Sequence, residues 1–173
     1  MNKIDIAIII GSDSDLEIIN NTVKTLDEFG LKYSLNIASA HRTTEHLRQC
    51  IEKAQNNGAK VFIAGAGMSA ALPGAIAAET ILPVIGVPMK GGSLSSFDSL
   101  FSIVQMPKGI PVATVAVGNA GAVNAALLAA QIIALSDKNL SLKLIEYKHN
   151  MSKQVIEKDL KLQKDGIEKY IQG

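Results

Sequence analysis

Ile4-Asp5-Ile6-Ala7-Ile8-Ile9-Ile10-Gly11-Ser12-Asp13-Ser14-Asp15 decides the fold of this chain. An isoleucine-rich run breaks at a glycine into a polar loop of two serines and two aspartates. β-Branched residues favour strands, and a nearly continuous apolar run is what a parallel strand buried on both faces requires. The loop then opens a helix. Leu16, Ile19, Val23 and Leu26 recur at helical spacing, Ser14 and Glu17 match a capping box, and Gly30 supplies the stop.

Outward from this unit the pattern repeats. Further strands are expected at 32–38, 60–64, 84–87 and 112–117, with 60–64 and 112–117 again close to continuous in β-branched or small apolar residues. Helices are expected over 44–57, where Leu47, Cys50, Ile51 and Ala54 form the apolar stripe, and over 73–79, 97–105 and 121–135. Strict strand–helix alternation predicts an α/β fold, a three-layer α/β/α sandwich around a parallel sheet. After Asp137 the composition shifts to lysine and glutamate, with Leu144, Tyr147, Met151 and Val155 at helical spacing. This reads as a long C-terminal helix ending near Lys164. The expected organisation is a catalytic domain over 1–137 and a helical extension of the same domain over 138–173.

A chain of 173 residues suits one sizeable core. Seventeen basic against 16 acidic residues give a net charge of +1, and no basic run stands out, so a nucleic-acid partner is not expected. The apolar run near the N-terminus is too short for a signal peptide and is interrupted by Asp5. The apolar stretch 122–135 contains Asn124 and Gln131 and falls short of the roughly 20 residues that span a bilayer. No membrane partner is expected, and a single cysteine, Cys50, suits the cytoplasm. Aromatic residues make up only 4% while hydrophobic residues reach 47%. The core must be aliphatic, and its alanine-rich helices suit close packing, including packing between subunits.

Three loops at predicted strand ends carry the candidate chemistry, because open α/β sheets bind small ligands there. Gly11–Asp15 offers backbone N–H groups and the hydroxyls of Ser12 and Ser14 at a helix start, fit for a phosphate or for ordinary capping. Two aspartates repel a phosphate, so Asp15 suits sugar hydroxyls better. Ser39-Ala40-His41-Arg42-Thr43 places an imidazole, which exchanges protons near neutral pH, beside a guanidinium that grips phosphate or carboxylate. Read singly, His41 also fits a helix cap and Arg42 a surface salt bridge. Gly65-Ala66-Gly67-Met68-Ser69-Ala70-Ala71-Leu72-Pro73-Gly74 fits either a ligand lying against bare backbone or tight sheet–helix packing. Cysteine–histidine metal clusters, nucleophile elbows and dinucleotide fingerprints are absent from the sequence, so no metal or cofactor is expected. Glu17 and Glu79 read as capping or solvated residues.

These loops occur in order with Asp98-Ser99-Leu100, Ser102-Ile103-Val104-Gln105-Met106-Pro107, Gly109-Ile110-Pro111-Val112-Ala113-Thr114 and Asn124-Ala125-Ala126-Leu127-Leu128-Ala129-Ala130-Gln131. Together they resemble the N5-carboxyaminoimidazole ribonucleotide mutases (PurE, class I) of purine biosynthesis, over about residues 4 to 137. The resemblance implies a flavodoxin-like fold, assembly as a homo-octamer with sites at subunit junctions, and a C-terminal helix exchanged with neighbours. It implies interconversion of N5-carboxyaminoimidazole ribonucleotide and 4-carboxy-5-aminoimidazole ribonucleotide without cofactor. It implies His41 as general acid/base, Arg42 at the 5′-phosphate, Asp15 at the ribose and Ser12 in the same binding set. Ser14 joins this loop, and Ser39, Gly67, Ala71 and Leu72 line the aminoimidazole. One departure stands out: many class I members carry a histidine where this chain has Ala71. The related class II enzymes carboxylate aminoimidazole ribonucleotide directly with CO2 and usually carry Ser-Ala-His-Lys where this chain has Ser-Ala-His-Arg. Direct carboxylation and ribonucleotide binding without turnover are the alternative readings.

Overall fold

Five strands, β1 (Ile6–Ile10), β2 (Tyr33–Ile37), β3 (Val61–Ala66), β4 (Val84–Pro88) and β5 (Ala113–Thr114), form one sheet in a computed structural model that describes residues 3–172. The order is β2-β1-β3-β4-β5, and every pairing is parallel. The helices are α1 (Leu16–Phe29), α2 (Thr44–Asn56), α3 (Leu72–Glu79), α4 (Phe97–Val104), α5 (Asn119–Ala134) and α6 (Lys138–Gln172). Residues 1, 2 and 173, at the ends of the two expected segments, lie outside the described residues. The chain divides into two compact units, one up to Ile133 and one from Ala134 on.

The first unit is the expected α/β/α sandwich with flavodoxin-like strand order. All residues of β1, β3 and β4 are buried, as their continuous apolar runs require. Side chains alternate across the sheet. Ala7 and Ile9 of β1 share a core with Leu47, Cys50 and Ile51 of α2, Leu72 and Ile76 of α3, and Ile103 of α4. On the opposite face, Ile10 and Ile19 of α1 crowd the space that a side chain at Gly65 would fill. There the Thr22 hydroxyl donates to the Ala122 carbonyl at 2.8 Å, tying α1 to α5. Each fully buried isoleucine stabilises the fold by about 1.5–3 kcal/mol, and Ile6, Ile8, Ile9 and Ile10 are all of this kind.

Several expectations need correction. The run 112–117 contributes only Ala113 and Thr114 to the sheet and is exposed or half-buried, because β5 is an edge with one neighbour and Pro111 precedes it. The Ser14–Glu17 capping box does not form. A 3-10 turn, Asp13–Asp15, precedes α1, and its cap is Ser12, whose Oγ accepts the Ser14 N–H at 3.3 Å. Gly30 does end α1, in the left-handed conformation at φ 72°. Glu79 is not simply solvated, since it pairs with Arg48 Nε at 3.1 Å and links α2 to α3.

In the second unit α6 runs helically to a break at Gly166, where φ is 72° and ψ 164°, just beyond the expected end, and then resumes. Leu140 and Leu144 are buried, whereas Met151 and Val155 are mostly exposed. Among the described residues no helix is long and apolar enough to cross a membrane.

Candidate active site at the carboxyl edge of the sheet

Strand order reverses between β1 and β3, and their following chains leave to opposite faces. A crevice opens at such a point. Here it is a cavity of about 540 Å³ walled by the segments that follow β1, β2, β3 and β4. All nine candidate residues line it: Ser12, Ser14 and Asp15 after β1, Ser39, His41 and Arg42 after β2, and Gly67, Ala71 and Leu72 after β3.

The β1 loop is shaped by its own serines. Ser12 Oγ accepts from the Ser14 backbone N–H and, at 2.9 Å, from the Ser14 hydroxyl, while donating to Asp13 at 3.1 Å. Burial raises the Asp15 carboxyl pKa above its ordinary value; the nearby Ser14 hydroxyl pulls it down and the Asp13 charge pushes it up. Asp15 thus holds a proton more readily than a free aspartate and suits neutral hydroxyl partners.

After β2 the chain closes on itself. Thr43 Oγ1 accepts the Ser39 N–H at 2.8 Å and donates to the Ser39 carbonyl at 3.3 Å. Ser39 Oγ accepts the Arg42 backbone N–H at 3.2 Å and its Nε–H at 3.5 Å. Arg42 Nη2 donates to the Gly11 carbonyl at 3.2 Å, bridging to the β1 loop. Arg42 has no carboxylate partner among the described residues, so the surface salt-bridge reading does not hold. Of its five N–H donors several stay available to an anion. His41 is exposed and is not the helix cap, a position that Thr43 takes. His46 and His149 lie on α2 and α6, and His46 Nε2 is 3.6 Å from Cys50 Sγ.

The β3 loop divides its glycines between two tasks. Gly65 is a packing glycine, hemmed in by Met89 and Ile10, whereas Gly67 lines the cavity. Met68 takes a left-handed conformation at φ 55°, turning the loop toward α3. Ala71 stands immediately before α3 with Pro73 in the first turn, and offers only a methyl group to the cavity.

Sequence reasoning missed the fourth wall, Met89-Lys90-Gly91-Gly92. The signal was present: a strand followed by a glycine pair, with φ 136° at Gly91 and 78° at Gly92. Among the described residues no group of three or more histidine, cysteine or carboxylate side chains could hold a metal.

A parallel sheet in this order, with a polar cleft over its switch point, defines a flavodoxin-like small-ligand protein. The sequence matches the AIR carboxylase family over residues 5–154, and the chain belongs to that family. It is 47% identical over 166 residues to the N5-carboxyaminoimidazole ribonucleotide mutase of Thermotoga maritima, covering 96% of each chain. It is 47% identical over 156 residues to the Escherichia coli K12 mutase, covering 90% of this chain and 92% of that one. The crystal structure of Treponema denticola PurE superposes with a TM-score of 0.83 at 32% identity, covering 91% of this chain and 97% of that one.

Proposed function

We propose that the chain is the mutase that interconverts N5-carboxyaminoimidazole ribonucleotide and 4-carboxy-5-aminoimidazole ribonucleotide in purine biosynthesis, an isomerase acting in the cytoplasm. The observation that carries this reading is the convergence of His41, Arg42 and Asp15 on one cavity at the switch point. Near-identical length and about one-half sequence identity to curated mutases support it.

Arg42 holds the 5′-phosphate with donors left over from its bonds to Gly11 and Ser39, and Asp15 accepts from the ribose hydroxyls. Ser12 and Ser14 complete the phosphoribose contacts. Ser39, Gly67, Ala71 and Leu72 enclose the aminoimidazole. The protonated His41 imidazole gives its proton to the carbamate nitrogen. The N–C bond then breaks, and its electrons stay on nitrogen as CO2 departs. Confined CO2 is attacked by C4, forming the new C–C bond, and the now neutral His41 removes the C4 proton. The imidazole ends in its starting state, so one histidine serves both steps.

Residues 1–137 act as the catalytic domain and 138–173 as its helical extension. Assembly as a homo-octamer, with the C-terminal helix exchanged between subunits, is supported by exposed Leu94, Phe97, Phe101 and Val104, and by Leu142, Ile145, Val155 and Leu160 on α6. The deciding experiment supplies purified protein with the carbamate substrate, or with aminoimidazole ribonucleotide plus CO2 or bicarbonate. Faster formation of C4-carboxylated product from the carbamate is expected. Preference for free CO2 would make the chain a direct carboxylase, and tight product binding without exchange at C4 a binding protein.

A further inference from the structure

We propose that Lys90 is a specificity-determining residue that pairs with the carboxylate of the substrate, at the opposite end of the cavity from Arg42. The assignment rests on the functional reading above, which gives the ligand two anionic ends. The cavity lining carries two basic side chains besides His41, Arg42 after β2 and Lys90 after β4, with the acidic Asp15 after β1. In the order β2-β1-β3-β4 the two cationic chain exits are three strand spacings apart, or about 14 Å. Bond lengths put the phosphate and carboxylate of such a nucleotide on the order of 10 Å apart. Two long side chains reaching inward from these exits fit that span.

Lys90 is exposed and has no ion-pair partner among the described residues. Its backbone is nonetheless fixed on both sides. The Met89 N–H donates to the Ala66 carbonyl at 2.9 Å, the Met89 carbonyl accepts the Ser99 hydroxyl at 3.0 Å, and the Gly91 N–H donates to Ser96 Oγ at 3.0 Å. The Gly118 N–H donates to the Pro88 carbonyl at 2.9 Å, and a side chain at Gly118 would press on Lys90 Cβ at 3.4 Å. A pinned main chain therefore sets Lys90 in the wall of the cleft. A carboxylate leaving water for this cleft needs a charged or hydrogen-bonding partner, and the wall after β3 offers the Ser69 hydroxyl beside Gly67, Ala71 and Leu72 but no cation. An ammonium has three donors and serves a carboxylate as a point charge.

The test is calorimetric affinity of wild-type, Lys90→Met and Lys90→Arg protein for two nucleotides: 4-carboxy-5-aminoimidazole ribonucleotide and its decarboxylated counterpart, 5-aminoimidazole ribonucleotide. Lys90→Met should weaken binding of the carboxylated nucleotide about 10–100-fold and leave the decarboxylated one within about twofold, whereas Lys90→Arg keeps most of the discrimination. Equal losses for both nucleotides, or no loss for either, with wild-type turnover intact, overturn the assignment of Lys90 alone. Wild-type protein that binds neither nucleotide overturns the functional reading along with it.

Discussion

Arg42 donates from Nη2 to the backbone carbonyl of Gly11 at 3.2 Å, fastening the loop after β2 to the end of β1. The same guanidinium is oriented by Ser39 Oγ, so its planar fork is held in place rather than free to rotate. This geometry needs the guanidinium itself. Arg42→Lys preserves the charge and loses the fork. We expect KM for the carbamate substrate to rise about 10–100-fold with kcat within a few-fold, the pattern of lost ground-state binding. Steady-state kinetics over substrate concentration checks it, and an unchanged KM would place the phosphate elsewhere.

His41 is expected to limit the chemistry rather than the binding. In His41→Asn, kcat should fall about 10²–10⁴-fold while product affinity stays within a few-fold. Turnover and calorimetry on the same protein separate these effects. Full turnover in the variant would mean that another group moves the proton.

Asp15 predicts a pH-dependent trade between stability and function. Burial is the main reason its carboxyl pKa is raised above the ordinary value of 3.8, with Asp13 adding to the effect. A group whose pKa is higher in the folded state contributes stability that is fully present below its unfolded pKa. That contribution is lost as pH rises through the folded pKa. At pH 7 the ionised carboxylate therefore weighs against the fold. Asp15→Asn should raise Tm at pH 7, on the order of 1–2 °C, with the gain vanishing below pH 3.8, while kcat/KM falls. Thermal melts at pH 3.5 and pH 7 test the sign, and a Tm difference independent of pH would remove titration of Asp15 as the cause.

Gly121 sets helix propensity against packing. It lies in the first turn of α5, where alanine is intrinsically favoured by about 1 kcal/mol, but a Cβ there would collide with the Ala116 carbonyl. Backbone yields less readily than a side-chain tip, so packing wins. Gly121→Ala should lose about 2–4 kcal/mol, whereas Gly11→Ala, with nothing within 4 Å of its Cβ, should change stability by under about 0.5 kcal/mol. Chemical denaturation of both variants distinguishes the cases.

What could be read from the sequence followed the physics of burial. β1, β3 and β4 were legible because central parallel strands must be apolar throughout, and α1 and α2 because their stripes repeat at helical spacing. The run 112–117 carries the same composition yet pairs over only two residues. Edge position is a property of neighbours, which composition does not encode. Likewise Ser14 and Glu17 match a capping box, but Ser12 reaches the turn first through a 3-10 geometry that single-residue preferences do not reveal. Three walls of the cavity were visible as polar or glycine-bearing loops after strands. The fourth is harder to recognise because Lys90 resembles any surface lysine until sheet order sets its strand three places from the one before Arg42. For Gly65 and Gly67, only the surrounding side chains separate a packing glycine from a cavity-lining one.

The hydroxyl of Ser12 accepts two hydrogen bonds and donates a third, and that of Ser39 accepts two from Arg42. Any ligand that uses these oxygens enters an exchange reaction, trading existing bonds for new ones, and gains only the difference. Matched partners add little to affinity, while a ligand that displaces a bond without replacing it loses heavily. For the proposed nucleotide, the serines of this cleft would then act as a filter, contributing modestly to holding it and strongly to rejecting one whose hydroxyls or phosphate are out of place.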